Sequence, residues 1–182
     1  RRKFFNKVFS IVSKKYLENL LNYNSVLEQR NAILKNSSKK TLDKQIEIWN
    51  KPYSQKCEKL WKQRKKLLDE FLKVFKETVK KIDLGIVCNI SYDQKRTKKE
   101  EIISFLERTL ETEIALGFTT VGPHRDDFVF EWEGRAIRKH GSQGEHKMFL
   151  ALLKISELLF ISKKTNKSPV FLIDDIFASL DL

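Results

Sequence analysis

The sequence predicts a mixed α/β fold that carries an antiparallel helical hairpin arm. Apolar residues recur at steps of three and four over the first part of the chain, and the period then changes to two before helical spacing returns. With 182 residues, of which 41% are hydrophobic and 33% charged, the composition is that of a globular protein. We expect residues 1–82 to form the arm and residues 83–182 to form a partial α/β head.

Two long helices are predicted in the arm. One apolar face extends over residues 5–34, and a second extends over residues 42–82. The polar stretch 35–40 between them predicts a turn, so the two helices should lie antiparallel. Pro52 should kink or break the second helix, because proline lacks the N–H that the helical hydrogen-bond ladder requires.

The remaining elements alternate between strand and helix. Alternating apolar residues over 84–92 predict a half-buried strand, and residues 98–116 have helical spacing. The stretch "FVFEWEGRAIRKH" predicts a β-hairpin that turns at residues 133–134. A further helix begins at Ser142, and "PVFLID" predicts a buried strand over residues 169–174.

Positive charge is concentrated in the arm. Residues 1–81 contain 22 Lys and Arg against 8 Asp and Glu, whereas residues 82–182 contain 14 against 16, within a net charge of +12. This distribution suggests a partner with phosphates, such as DNA, although exposed lysines are also common on helices that are simply solvated. The candidate DNA-binding cluster consists of Lys62, Arg64, Lys65 and Lys66.

Several features bear on where the protein works. No apolar run is long enough to span a bilayer, and the start "RRKFFNKVFS" is too densely charged for a secretory signal, so we expect a cytoplasmic protein. Cys57 and Cys88 lie in different predicted elements without metal-ligand spacing, which favours reduced, partly buried thiols. Position 1 is an arginine inside an amphipathic pattern, so we expect a portion of a longer chain.

Two motifs near the end of the sequence suit phosphate chemistry. A strand that stops at Asp174 and Asp175 can place one carboxylate on Mg²⁺ or its water shell and the other on an attacking water. Ser142, Gln143 and Gly144 at a helix start can direct backbone N–H groups at a phosphate. Each motif alone has an ordinary alternative, because strand-terminal aspartates and helix-initial serines also serve as helix caps.

Together the motifs resemble the RecF family of ABC-type ATPases, which are related to the heads of the SMC and Rad50 proteins. The resemblance lies in "TTVGPHRDDFVF", "GSQGEHKMFLALLKISELL" and "PVFLIDDIFASLD", and upstream in "RRKFFN" and "YLENLLNYNSVLEQRNAILK" of the arm. It implies part of an ABC-type ATPase head whose complete protein binds ATP and Mg²⁺ and hydrolyses ATP slowly in the presence of DNA. It also implies an ATP-dependent homodimer on single-stranded and gapped DNA in recombinational repair, with RecO- and RecR-type partners.

The resemblance implies a role for each motif residue. Three residues match the signature motif, which contacts the γ-phosphate of an ATP held by the opposite subunit: Ser142, Gln143 and Gly144. Asp174 matches the Walker B aspartate associated with Mg²⁺, and Asp175 matches the catalytic carboxylate. Asp181 matches the D-loop that crosses the dimer interface.

The sequence departs from the family pattern at three points. No GxxxxGK[ST] loop is present, so we expect the phosphate cradle to precede Arg1 and this portion alone to bind ATP weakly. The switch histidine expected after Asp181 is also missing. Glu145 stands where a neutral glutamine is expected, and its carboxylate suits the helix dipole but would repel a phosphate. An SMC- or Rad50-like head, and a DNA- or protein-binding hairpin on a degenerate non-hydrolysing head, therefore stay open as alternatives.

The loop "GPHRDD" over residues 122–127 is interpreted as a tight Gly-Pro turn. We expect an internal pair between Arg125 and either Asp126 or Asp127, in preference to a direct role of His124 or Arg125 in nucleotide or DNA contact. On this interpretation the loop is held together by its own side chains.

Overall fold

The computed structural model describes residues 1–36, 39–83, 85–94, 102–170 and 172. Helices and an antiparallel sheet together confirm the mixed α/β class. The elements in these ranges are α1 (Arg2–Val12), α2 (Lys14–Asn36), α3 (Lys39–Ile82), β1 (Cys88–Asp93), α4 (Ile102–Leu116), β2 (Asp127–Trp132), β3 (Arg135–Ala136), α5 (Ile137–His140) and α6 (Gln143–Thr165).

The first predicted helix is two helices. Helix α1 ends at Val12, Ser13 is extended with φ −147° and ψ 103°, and α2 begins at Lys14. The Ser13 hydroxyl accepts a hydrogen bond from the backbone N–H of Tyr16 at 3.1 Å, which caps α2. The prediction of one continuous helix over residues 5–34 is therefore wrong. The spacing hid the break, because Val12 and Tyr16 are one helical turn apart in sequence whether or not the chain turns between them.

Helix α3 is a single helix of 44 residues, about 66 Å long at 1.5 Å per residue. It continues through Pro52, so the predicted break does not occur. Three side chains on the flanking turns are fully buried: Ile46, Tyr53 and Cys57. Their packing offsets the cost of a helical proline, about 3 kcal/mol. Hydrogen bonds from Asn19 to Gln63 and from Arg30 to Asn50 run in opposite order along α2 and α3, which confirms an antiparallel hairpin.

A three-stranded antiparallel sheet in the order β1-β2-β3 follows the hairpin. Cys88 and Ile90 of β1 are buried while Asn89 is exposed, as the alternation predicts, although β1 is shorter than the predicted strand. The β2–β3 hairpin turns at Glu133 and Gly134, whose φ values of 49° and 73° are the left-handed ones that a two-residue type I′ turn requires. The predicted hairpin and its turn are confirmed.

One aromatic core joins α1, α3, α6 and the sheet. Phe5 stacks on Phe128 with ring centroids 4.1 Å apart and meets Phe71 edge to face at 5.4 Å. Phe160 of α6 also meets Phe71 edge to face at 5.4 Å. The base of the arm therefore shares its core with the head, and the boundary placed at residue 82 stays a prediction.

The structure also bears on the thiols and on membrane association. Cys57 and Cys88 are free and buried, as predicted. Burial, with a smaller contribution from the Glu133 carboxylate, raises the pKa of the Cys88 thiol to about 11. Burial likewise raises the pKa of the Cys57 thiol. In the described part of the chain, no helix combines the length and the apolarity that crossing a membrane requires.

Candidate functional site

The residues that match the signature motif form the N-terminus of α6. Ser142 is the N-cap of this helix, with φ −67° and ψ 167°. Its hydroxyl accepts a hydrogen bond from the Glu145 N–H at 3.2 Å, and its own N–H donates to the Glu145 carboxylate at 2.6 Å. This capping box fixes the start of the helix, because it satisfies two backbone donors at once.

Two backbone donors remain at the helix start. The His146 N–H donates to the Ser142 carbonyl, so the N–H groups of Gln143 and Gly144 are the ones left without an acceptor inside the helix. Ser142 and Gln143 are exposed, and a Cβ built on Gly144 would meet no atom within 4 Å. Because the fold does not require glycine at position 144, the missing side chain leaves space for a group from outside the chain.

The Glu145 carboxylate caps the helix to which it belongs. It binds the Ser142 N–H beside the positive end of the helix dipole, as expected from the sequence. The expected repulsion of a phosphate by this carboxylate stays a prediction. On the same turn, Nδ1 of His146 lies 2.8 Å from the Ser142 carbonyl oxygen.

The acidic pair and the D-loop residue lie outside the described residues. The roles of Asp174, Asp175 and Asp181 therefore stay predictions, together with most of the "PVFLID" strand. Among the residues that the structure does describe, no group of three or more His, Cys, Asp or Glu side chains could hold a metal ion.

The loop at residues 122–127 is a tight turn, as predicted. The Arg125 N–H donates to the Gly122 carbonyl at 2.9 Å. Gly122 has φ 136°, and a Cβ at this position would collide with the hydroxyls of Tyr53 and Tyr23. The turn therefore needs glycine both for its backbone conformation and for its close contact with the arm.

Asp126 is bound by the arm and by β1. Its carboxylate is buried and accepts hydrogen bonds from Nε1 of Trp61 at 2.6 Å, from Nη1 of Arg64 at 3.0 Å and from the Tyr92 hydroxyl. Arg64 also donates to the Pro123 carbonyl at 2.9 Å. The carboxylate and the guanidinium are thus a buried ion pair with additional hydrogen bonds, the arrangement that a charge removed from water requires.

The predicted pair inside the loop is wrong. Asp127 pairs with Arg1 at the start of α1, and Asp126 is bound by Arg64 of the arm. The guanidinium of Arg125 lies over the ring of Phe118, 5.5 Å from its centroid. The loop is therefore held by the elements around it, because its carboxylates face the arm and α1.

The inclusion of Arg64 in the candidate DNA-binding cluster is wrong. The side chain of Arg64 is 1% exposed and is bound to Asp126, so it is not available to DNA. The other members of the cluster are exposed: Lys62, Lys65 and Lys66. The sequence carried a signal for the burial, because Arg64 lies on the apolar face of the helix between Leu60 and Leu67.

His124 uses both ring nitrogens inside the protein. Nε2 lies 2.9 Å from the Thr119 carbonyl oxygen, and Nδ1 lies 2.6 Å from the Tyr23 hydroxyl. Since a carbonyl only accepts, Nε2 carries the proton and Nδ1 accepts from Tyr23. Burial lowers the pKa of His124, which favours this neutral form. His124 therefore contributes to the structure of the turn through both ring nitrogens.

A second buried ion pair, which sequence reasoning missed, lies farther along the arm. Nη1 of Arg30 and the Glu113 carboxylate are 2.6 Å apart, and both side chains are fully buried. Arg30 also donates to the Thr119 hydroxyl at 2.7 Å, and Glu113 accepts from the Thr120 N–H at 2.6 Å. This pair joins α2 of the arm to α4 and to the segment that leads into the turn.

These features define a class of protein. The capped helix α6 and the antiparallel sheet form part of an ABC-type ATPase head, to which the helical hairpin arm is attached. A solved structure described as the recombination mediator protein RecF-ATP in the RecFOR pathway superposes with a TM-score of 0.86 at 28% identity, over 100% of this chain and 51% of that one. A second, of RecF-ATPrS, gives a TM-score of 0.85 at 27% identity over the same shares.

Within this class, the chain resembles RecF. The DNA replication and repair protein RecF of Azobacteroides pseudotrichonymphae is 35% identical over 182 residues, which are 100% of this chain and 50% of that protein. RecF of Lachnoclostridium phytofermentans is 35% identical over 187 residues, again 100% of this chain and 51% of the relative. No family model matches the chain. The chain spans about half the length of these relatives, and the resemblance to RecF inferred from the motifs is confirmed.

Proposed function

We propose that this chain is the arm and the signature-bearing part of an ATP-dependent DNA replication and repair protein of the RecF kind. The complete protein would dimerise around ATP on single-stranded or gapped DNA. The observation that carries the proposal is the exposed start of α6, where two backbone N–H groups and an open space at Gly144 face outward. The RecF relatives, and the solved RecF-ATP neighbour in the RecFOR pathway, support ATP, DNA and RecO- and RecR-type proteins as ligands and partners.

The arrangement at α6 suits contact with a phosphate from another subunit. The N–H groups of Gln143 and Gly144 and the positive end of the helix dipole together attract an anion. Because the first residues of this helix are exposed, the phosphate would be brought by a second molecule, as it is in a symmetric dimer. The Ser142 hydroxyl keeps its proton available for donation while its oxygen caps the helix.

The acidic pair would supply the second part of the composite site. Asp174 would hold Mg²⁺, whose charge neutralises the phosphate oxygens in this class of reaction. Asp175 would orient and activate the attacking water through its negative charge. Asp181 would lie at the dimer interface. These three roles rest on the resemblance to RecF.

A second candidate is a non-hydrolysing head whose hairpin binds DNA or protein. Glu145 favours it, because its carboxylate lies 2.6 Å from the Ser142 N–H and places negative charge where a phosphate would approach. Phosphate release from ATP by the full-length protein, measured with and without DNA, separates the two candidates. Activity above the background of Asp175→Asn excludes the non-hydrolysing head.

The proposal predicts that Ser142→Arg in the full-length protein abolishes ATP-driven dimerisation. A long side chain at this position fills the space in front of α6, while each monomer keeps the rest of its own ATP site. Size-exclusion chromatography with light scattering, with and without ATP, measures the dimer, and a fluorescent ATP analogue measures binding to the monomer. Ser91→Arg, which adds the same charge on the exposed face of β1, is the matched control. A Ser142→Arg protein that dimerises with ATP as the wild type does would refute the proposal.

A further inference from the structure

An open, lysine-lined groove of about 680 Å³ lies where α2, α3 and α6 meet at the base of the arm. Its lysines come from all three helices: Lys15, Lys59, Lys62, Lys66 and Lys164. Among the described residues that line it, Glu70 is the one carboxylate. Asn19 donates to Gln63 across the groove at 2.8 Å, which links α2 to α3. The lining therefore carries a strong positive charge on a well-packed base.

Most of these lysines are available to a ligand. Lys15 of α2 and three lysines of α3 are exposed, and none of the four has an ion-pair partner among the residues that the structure describes. The three on α3 are Lys59, Lys62 and Lys66. Steps of three and four residues place them on one face of the helix, in a row about 10 Å long. Three ammonium groups in a row of this length can neutralise successive phosphates of a DNA backbone.

We propose that this groove binds the phosphate backbone of DNA, an inference that rests on the proposed function as a DNA-binding protein. Lysine is depleted in protein–protein interfaces, whereas aromatic residues and arginine are enriched. The described lining has five lysines, and its apolar members are Val12 and Leu67, with no aromatic side chain. A phosphate backbone is rich in negative charge and needs no apolar anchor, so it suits this lysine-lined surface better than a folded protein does.

Lys164 connects the groove to the signature helix. It belongs to the last turn of α6, whose N-cap is Ser142, and it pairs with Glu70 of α3. Both side chains of this pair are about one-third exposed, at 35% and 29%. A DNA phosphate in the groove would compete with Glu70 for the Lys164 ammonium. DNA would then contact the arm and the C-terminal end of α6 together.

The test compares two triple substitutions in the full-length protein. The groove variant is Lys59→Gln/Lys62→Gln/Lys66→Gln. The matched control removes three exposed lysines of α3 that lie outside both the groove and the candidate DNA-binding cluster, Lys73→Gln/Lys76→Gln/Lys80→Gln. Fluorescence anisotropy with a labelled gapped duplex, over a series of salt concentrations, measures affinity. We expect the groove variant to bind about tenfold or more weakly, and the slope of log K against log salt to fall by about one for each phosphate that the variant no longer binds.

The outcomes separate this inference from the proposed function. Weaker binding confined to the groove variant supports the groove. Equally weakened DNA binding in both variants overturns the proposal that the groove binds DNA. Unchanged DNA binding in both variants also overturns it, and would favour an acidic protein surface as the ligand of the groove. A wild-type protein that does not bind the duplex would instead refute DNA binding itself. Thermal denaturation confirms that each variant is folded.

A single substitution tests the exchange at Lys164. Glu70→Gln removes the competing carboxylate and keeps the five lysines, so we expect DNA binding to tighten by about threefold to tenfold, the effect of one additional phosphate contact. A purely structural role of the Lys164–Glu70 pair predicts unchanged or weaker binding. Either of those results would overturn the exchange.

Discussion

Two arginines of the arm are buried against carboxylates of the head, and each is held by several partners. Arg64 is bound by Asp126, and Arg30 by Glu113. A buried charge of this kind is costly when its partner is removed, because the remaining charge stays out of water without compensation. The two pairs therefore contribute, beside the aromatic core, to joining the arm to the head.

Asp126→Asn should strongly destabilise the full-length protein. The amide keeps the shape of the side chain but leaves Arg64 buried without a negative partner, at a cost of about 3–5 kcal/mol. Asp127→Asn is the matched control, since its pair with Arg1 is 39% exposed on the aspartate side and should contribute about 1 kcal/mol or less. Urea denaturation followed by circular dichroism measures both. Equal, small shifts in the two variants would show that the Arg64–Asp126 pair does not join the arm to the head.

Gly144→Ala should separate folding from function. The residue has helical conformation and open space around its Cα, so alanine should leave the free energy of unfolding unchanged or raise it by up to about 1 kcal/mol. The added methyl group lies in the space in front of α6, so ATP-driven dimerisation of the full-length protein should weaken. Gly122→Ala is the contrasting variant, because its methyl group collides with Tyr53 and should impair folding. Normal dimerisation of Gly144→Ala would mean that no partner group approaches this glycine.

Burial of the arginines could have been predicted from the sequence, but their partners could not. Arg64 lies between Leu60 and Leu67 on an apolar face, and Arg30 takes the same place on α2. A charged residue at such a position is buried if the helix is packed there, and it must then be paired. Which carboxylate pairs with it depends on the turn at 122–127 meeting the arm, and helical periodicity carries no information about that contact.

At the scale of elements, the period of the apolar residues predicts most helices and the β-hairpin. It fails at Ser13, because the apolar residues keep their three- and four-residue spacing across the break between α1 and α2. The serine, which can cap a helix, is the sequence feature that indicates the break. It also overstates the effect of Pro52, because packing against α2 outweighs one missing hydrogen bond. The Ser-x-x-Glu pattern from Ser142 to Glu145 is the usual sequence pattern of a capping box. Capping of α6 therefore gives a structural reason for a glutamate at position 145, where the family pattern has a glutamine.

At the scale of the molecule, the described residues of the arm and of α6 together line the basic groove, and Ser142 is the N-cap of α6. The arm and the head share an aromatic core, in which Phe5 stacks on Phe128 and Phe71 meets Phe160 edge to face, and this core connects the basic groove to α6. Part of the excess positive charge of the arm lies in that groove, on Lys15, Lys59, Lys62 and Lys66.

The central claim is that Ser142 of one subunit and Asp175 of the other act on the same ATP. Mixing full-length Ser142→Arg with full-length Asp175→Asn, each inactive alone, tests it by phosphate release. In a mixed dimer one composite site carries both substitutions and the other carries neither. The mixture should therefore recover part of the wild-type rate, because each mixed dimer has one intact site of two. If both residues served the ATP of their own subunit, no site in the mixture would be intact. A mixture that stays as inactive as the separate variants, while light scattering shows that mixed dimers form, would contradict the account.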